Sequence, residues 1–175
     1  MKNKTVNKDS KTLMLVTLSA LIGIEIVLSR FLSISAWNTK IGFSFVPIVI
    51  AAMLYGHIAG GIVGALGDFI GAVLFPIGAY FPGFTLTAFF TGMVFGLLLY
   101  KGQSIARILT AVLINQCVLS LGLNTLWIAV LYGSPYGALF LTRIVQTVIL
   151  IAVQTVVIAV IARALPRFKA GLAAA

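Results

Sequence analysis

The sequence is short of charged residues, and of acidic ones above all. Only 9% of its 175 residues are charged, and only three of these are Asp or Glu. One His and one Cys are too few ligands for an ordinary zinc or iron–sulfur site, and Cys117 has no partner for an internal disulfide. No P-loop, nucleophile-elbow or metalloprotease motif occurs. We therefore expect no metal site and no other cofactor.

Hydrophobic residues dominate what remains. They make up 61% of the chain, more than a soluble domain of this size can hide in its interior. The apolar runs are too long for core strands and require lipid as their solvent. A spanning helix with its connection takes roughly 25–30 residues, so the chain has room for about six spans. The predicted fold is an all-α integral membrane protein with six transmembrane helices.

Predicted boundaries follow from the polar interruptions. The spans are expected at about 12–32, 41–55, 58–75, 84–100, 105–131 and 137–164. Residues 1–11 and 166–175 are predicted to be cytoplasmic tails on either side of a transmembrane domain at 12–165. Polar, aromatic-bearing loops are expected at 33–40, 76–83 and 132–136, and a tight turn at Gly56-His57.

The positive charge sets the predicted orientation. The formal net charge is +9, and the basic residues lie mostly at the ends of the spans. With both termini cytoplasmic, the outer side carries only Arg30, Lys40 and Arg143, as the positive-inside bias requires. The basic residues form no stripe interleaved with exposed aromatics, so we do not expect nucleic-acid binding.

Charged residues inside the predicted spans are candidates for function, because burying a charge in lipid is costly. Asp68 lies near the middle of the glycine-rich third span, and Arg143 lies one to two turns inside the sixth. Glu25 and Arg30 lie near the outer end of the first span and could pair with each other. A structural hydrogen bond between helices is the alternative for Asp68, and an interfacial position is the alternative for Arg30.

Two further patterns bear on a binding site. Gln116, Ser120, Asn124 and Trp127 recur at helical spacing in the fifth span and form a polar stripe that ends in an aromatic. Aromatic residues are also concentrated near the outer loops: Trp37, Tyr80, Phe81, Phe84, Tyr132 and Tyr136. These patterns favour a capped pocket for a flat ring, while ordinary interhelical hydrogen bonding and an interfacial aromatic belt remain alternatives.

The first span carries a small-residue pattern formed by Ser19, Ala20 and Gly23. Small residues let helix backbones approach closely. The pattern is consistent with packing inside the chain or with docking to a partner membrane subunit.

Four stretches of the sequence resemble the S components of energy-coupling factor (ECF) transporters, and the folate-specific S components in particular. They are LSRFLSI at 28–34, KIGFSFVP at 40–47, GDFIG at 67–71 and FPIGAYFPGFT at 75–85. The resemblance implies a six-helix, non-catalytic subunit that captures a vitamin from outside the cell. It also implies partners: a membrane coupling subunit and two cytoplasmic ATPases. The family's Ala-xxx-Ala docking motif is imperfect here, since Ser19 and Gly23 stand near its place.

The chemistry of folate suits the candidate residues. A carboxylate such as Asp68 can accept the adjacent N–H and NH₂ of a pterin as a pair, and aromatic side chains can stack on its rings. Arg30 or Arg143 could pair with the glutamate tail, and the sequence does not choose between them. The full set of expected substrate-binding residues is Arg30, Trp37, Phe43, Asp68, Tyr80, Phe84, Gln116, Asn124, Trp127 and Arg143.

Three other functions stay open at the level of sequence. The first is an S component for riboflavin or thiamin, which composition does not distinguish from one for folate. The second is an ion-coupled secondary transporter, which the lack of an evident internal repeat disfavours. The third is an integral membrane enzyme, disfavoured because the one imidazole, His57, lies at a predicted cytoplasmic turn, far from the polar outer cluster.

Overall fold

Helices form almost all of the part of the chain that the structure describes. The computed structural model describes the backbone of residues 2–36 and 39–174 and the side chains of residues 11–33 and 42–166. In chain order the elements are α1 (Lys2–Arg30), β1 (Ile34–Ala36), β2 (Thr39–Ile41), α2 (Phe45–Tyr55), α3 (His57–Leu74), α4 (Pro82–Leu99), α5 (Ile105–Leu113), a π-helical segment (Ile114–Asn124), α6 (Thr125–Tyr132) and α7 (Tyr136–Ala174).

The predicted all-α membrane architecture is confirmed. Within the described residues, five helices are long and apolar enough to cross a membrane: Lys11–Arg30, His57–Leu74, Pro82–Leu99, Ile105–Tyr132 and Tyr136–Pro166. The range Ile105–Tyr132 corresponds to the predicted fifth span, and we keep that name for it. It joins α5, the π-helical segment and α6 without a break. Helix α1 begins at Lys2, so residues 2–10 belong to the same helix as the membrane-spanning range Lys11–Arg30. The assignment of residues 1–11 and 166–175 to cytoplasmic tails stays a prediction.

The second predicted span needs correction. Helix α2 begins at Phe45 instead of residue 41 and has 11 residues. At 1.5 Å per residue it is about 16 Å long, well short of the ~30 Å hydrocarbon core of a bilayer. Its residues Val49, Ala51, Ala52 and Met53 are completely buried, with α1, α3, α4 and α7 packed around it. A helix that is apolar on every side belongs in an interior, and α2 forms the centre of the bundle.

Glycine allows the close packing of α3 against α4. A Cβ placed on Gly92 would overlap the backbone carbonyl of Gly60, and one on Gly96 would overlap the backbone of His57. Backbones can approach this closely only where side chains are absent. The turn before α3 also depends on glycine, since Gly56 has a φ of 92°, a left-handed conformation. The tight turn predicted at Gly56-His57 is therefore confirmed.

The lateral surface of the bundle is apolar. Leu97, Val130, Leu141 and Val145 are all at least 60% exposed. A continuous apolar surface of this kind would be unfavourable in water, whereas lipid chains solvate it without cost. The outward faces of the long helices therefore face lipid.

Two loop predictions have different outcomes. The predicted polar loop at 33–40 contains an antiparallel hairpin in which β1 pairs with β2 and Ile34 lies opposite Ile41. The 75–81 connection between α3 and α4 is non-helical, as predicted, but α4 begins at Pro82, where a proline is tolerated in the first turn. The ends of α1 and α3 and the start of α4 lie beside these two connections.

Candidate functional site

A cavity of about 680 Å³ lies within the bundle. Its walls come from α1, α2, α3, α4, α6 and α7, from the last residue of the π-helical segment, and from the 75–81 connection. Small-molecule sites commonly have volumes of about 300–1,000 Å³. The cavity is therefore large enough for a small organic molecule.

Asp68 and Arg30 lie together in one wall of the cavity. Nη2 of Arg30 lies 3.6 Å from Oδ1 of Asp68, and it also donates a hydrogen bond to the Asp68 backbone carbonyl at 3.1 Å. Asp68 lies on α3 and Arg30 is the last residue of α1. The end of α3 leaves space for the guanidinium because residue 71 is glycine, where a Cβ would lie 2.8 Å from Nε of Arg30. The pair joins two helices and presents a carboxylate to the cavity.

The second oxygen of the Asp68 carboxylate is held by α4. The hydroxyl of Thr85 donates to Oδ2 of Asp68 at 2.8 Å, and the hydroxyls of Tyr80 and Thr85 lie 3.3 Å apart. Tyr80 belongs to the 75–81 connection, and its ring packs edge-to-face on that of Phe69. The carboxylate is thereby held between α1, α3 and α4, and its network reaches the 75–81 connection, which lines the cavity.

Arg143 forms a separate polar site on α7. It is buried, with 6% of its surface exposed, and it lines the same cavity. Its Nη1 donates to the hydroxyl of Thr125 at 3.1 Å, while its Nε has no hydrogen-bond partner among the described residues. Among the described residues Arg30 pairs with Asp68, and no ion pair to a carboxylate is seen for Arg143. Arg143 therefore brings a positive charge to the cavity wall without a carboxylate paired to it there.

Glu25 is buried deeply in α1 and also lines the cavity. A Cβ on Gly67 of α3 would overlap the Glu25 carboxylate. The side chain thus lies directly on the α3 backbone, in a position that only a glycine at residue 67 permits. From the sequence Glu25 could pair with Arg30, whereas the structure pairs Arg30 with Asp68.

Aromatic side chains surround the cavity near the start of α4. The rings of Phe81 and Phe84 lie 6.2 Å apart, and those of Phe81 and Trp127 lie 5.5 Å apart. The indole Nε1 of Trp127 donates to the hydroxyl of Thr87 at 3.0 Å. Gly83 fits beneath this indole, because a Cβ at that position would lie 2.6 Å from the ring. These contacts attach the 75–81 connection to α6.

The structure brings six of the ten predicted substrate-binding residues to one cavity. They are Arg30, Asp68, Tyr80, Phe84, Asn124 and Arg143. Trp127 does not line the cavity and packs on Phe81, which does. Gln116 is buried in the π-helical segment and does not line the cavity, and Phe43 is about half exposed beside Phe45. Trp37 lies outside the described residues.

The predicted docking residues lie on the lateral surface of α1. Ser19, Ala20 and Gly23 are all exposed, and nothing lies within 4 Å of a Cβ placed on Gly23. They therefore do not serve helix packing among the described residues, and this small-residue face of α1 points out of the bundle.

Several polar cavity residues lie outside the ten predicted substrate-binding residues. They are Glu25, Ser44, Thr87, Thr91, Tyr132 and Gln154. Of these, Gln154 carried a usable signal, because it lies three helical turns from Arg143 on the same side of α7. Ser44, Thr87 and Thr91 carried no such signal, since Ser and Thr are common in membrane helices for packing alone.

Together these features define a class of protein. A helical bundle whose outer surface faces lipid, and which encloses a cavity with charged and aromatic walls, is an integral membrane protein equipped to hold a small polar molecule. The family model described as "ECF-type riboflavin transporter, S component" matches residues 9–167. The chain belongs to this family of ECF transporter S components, and it is a multi-pass protein of the cell membrane.

Similar proteins carry a folate name. The chain is 40% identical to a "Folate transporter FolT" of Clostridium novyi over 149 residues, which cover 85% of this chain and 87% of the relative. It is 30% identical over 146 residues to a protein of the same name from Leuconostoc mesenteroides, with coverage of 79% and 78%. A solved structure described as FolT bound with folic acid superposes with a TM-score of 0.81 at 32% identity, covering 85% of this chain and 92% of that one.

Proposed function

We propose that this protein is the folate-capture subunit of an ATP-driven ECF importer. It binds folate from the extracellular side and delivers it by associating with a membrane coupling subunit and two cytoplasmic ATPases. The observation that carries the proposal is the composition of a single cavity, which combines a carboxylate at Asp68, a buried guanidinium at Arg143 and the rings of Tyr80 and Phe84. The folate names of both curated relatives support the same substrate.

Each part of folate has a counterpart in the cavity wall. The pterin edge carries adjacent N–H donors, which the Asp68 carboxylate accepts. Thr85 and Arg30 already contact this carboxylate, but each carboxylate oxygen has lone pairs to accept a further hydrogen bond. The rings of Tyr80 and Phe84 stack against the flat parts of the substrate. The acidic tail pairs with an arginine.

The energy for import comes from partner proteins. The chain has no P-loop, so ATP hydrolysis takes place in the two ATPases. The exposed face of Ser19, Ala20 and Gly23 is the proposed docking surface for the coupling subunit, because small residues permit close contact between helices in lipid. The chain itself binds and carries the substrate and performs no catalysis.

Equilibrium binding tests the substrate assignment. The purified protein in detergent is titrated calorimetrically with folate, with riboflavin and thiamin as matched controls. We expect tight binding of folate alone, without any ATPase present. Binding of none of the three vitamins would contradict vitamin capture and would favour an ion-coupled transporter, whose uptake would depend on protons and not on ATP.

Riboflavin is the second candidate substrate, because the matching family model is described by that vitamin. It is also flat and would fit aromatic walls, but it has no carboxylate for an arginine to pair with. Riboflavin binding without folate binding would keep the architecture and replace the substrate.

A further inference from the structure

Arg143 and Arg30 are both arginines in the cavity wall, but their surroundings differ. Arg30 contacts the carboxylate of Asp68 with its Nη2. Arg143 donates to the neutral hydroxyl of Thr125. The Nε atom lacks a hydrogen-bond partner among the described residues in both arginines, so the two differ in the carboxylate that Arg30 contacts. The charge of Arg30 is thus compensated by Asp68, whereas no carboxylate among the described side chains is paired with Arg143.

An uncompensated buried cation has a high energy cost. Only 6% of the surface of Arg143 is exposed, and an arginine remains charged in proteins. A buried charge is normally paired or fully hydrogen-bonded, because transfer out of water is otherwise strongly unfavourable. An anion that enters the cavity would supply the missing partner.

We propose that Arg143 is the residue that binds the carboxylate of the substrate, and that Arg30 does not. This inference rests on the proposed folate function and decides which arginine receives the glutamate tail. Thr125 holds the guanidinium through Nη1, which leaves the Nε side of the planar fork for the two-pronged contact that arginine makes with carboxylates.

The inference also orients the substrate. Arg143 lies on α7, and the carboxylate of Asp68 lies on α3, held by α1 and α4. A ligand with an acidic end at Arg143 and a hydrogen-bond-donating end at Asp68 would lie across the cavity between α7 and α3. The acceptor at one end and the cation at the other favour one direction of binding over its reverse.

The test compares folate with its neutral dimethyl ester, which keeps the pterin and the aminobenzoyl group but carries no carboxylate. Affinities for both ligands are measured calorimetrically on the wild-type protein and on Arg143→Gln, Arg143→Lys and Arg30→Gln. We expect wild-type protein to prefer folate over the diester by on the order of 100-fold. In Arg143→Gln the ratio of folate affinity to diester affinity should fall to nearly one. Arg143→Lys should keep part of the preference because the charge remains.

Arg30→Gln is the matched control. It disturbs the Asp68 wall, so it should weaken both ligands by a similar factor and leave the preference for folate intact. A preference that disappears in Arg30→Gln and persists in Arg143→Gln would overturn the assignment. Equal wild-type affinity for folate and diester would also overturn it, and this comparison needs no variant to fold.

Failure of the proposed function is a separate outcome. If wild-type protein binds neither folate nor the diester, folate capture itself is wrong. If it binds both equally, folate capture stands and only the role of Arg143 is rejected. Elution of each variant as a monodisperse peak in size-exclusion chromatography confirms that its binding data refer to folded protein.

Discussion

Arg30 connects α1 to α3 through a single nitrogen, Nη2, which lies 3.6 Å from Oδ1 of Asp68 and 3.1 Å from the Asp68 backbone carbonyl oxygen. Both residues were candidates for direct contact with substrate. Their pairing means that the Asp68 carboxylate is held in place before any ligand arrives. Preorganisation of this kind lowers the entropy cost of binding.

Replacing the Asp68 carboxylate tests its role at the pterin. Asp68→Asn keeps the size of the side chain but removes its charge and one acceptor. We expect folate affinity to fall by about 1.5–3 kcal/mol, the usual worth of a hydrogen bond to a charged group. Isothermal titration in detergent measures the effect.

The control for this variant is Thr85→Val, which removes the hydroxyl that donates to Asp68 but leaves the carboxylate. Its effect on folate affinity should be the smaller of the two. An unchanged folate affinity in Asp68→Asn would show that the pterin does not bind this carboxylate.

Gly67 provides the space for Glu25. Gly67→Ala should destabilise the protein by about 1–3 kcal/mol, because the new methyl group overlaps the Glu25 carboxylate against the α3 backbone. Thermal unfolding in detergent, followed by circular dichroism, reports the loss as a lower Tm.

Gly23→Ala is the matched control on α1, since nothing lies within 4 Å of a Cβ there. It should leave Tm unchanged or raise it slightly, because alanine favours the helix by up to about 1 kcal/mol. Equal Tm values for the two variants would show that Glu25 moves aside freely.

The α3–α4 contact should be equally sensitive. Gly92→Ala introduces a methyl group into the backbone of Gly60, and neither backbone can yield without separating the helices. We expect a loss of at least about 2 kcal/mol in stability. Urea or thermal unfolding of Gly137→Ala, a position with open space around its Cβ, provides the comparison, and a similar result for both variants would contradict close backbone packing.

The exposed face of α1 should matter for uptake and not for binding. Ala20→Leu enlarges an outward residue of the proposed docking surface, so folate binding to the isolated protein should be unchanged. ATP-dependent folate uptake in proteoliposomes with the complete transporter should fall at least about tenfold, since a bulky side chain prevents close helix contact.

Ala152→Leu makes the same change at an outward position of α7 and should leave uptake near the wild-type rate. If the two variants transport folate equally well, the docking surface lies elsewhere.

Much of the architecture is local and could be predicted. Long apolar runs require a membrane whatever their neighbours, and Gly56 ends a helix because of its own backbone freedom. The length of α2 was harder to predict, because an apolar segment can be lipid-exposed or buried in protein with the same composition.

The side chains that face the cavity from the fifth span were harder still to predict. The proposed stripe assumed an α-helix, but residues Ile114–Asn124 are π-helical, and the wider turn changes which side chains share a face. Asn124 lines the cavity and Gln116 does not.

The sequence by itself determined that the chain is a multi-pass helical membrane protein, and its motifs indicated the transporter family, because hydropathy and motif are properties of contiguous residues. The tertiary structure decided which charges are paired. Arg30 and Asp68 are far apart in the chain and meet only because α1 packs on α3. Arg143 is equally basic in the sequence, yet it meets a threonine of the fifth span and no carboxylate among the described side chains. Charge compensation depends on distances across helices, and packing alone sets those distances.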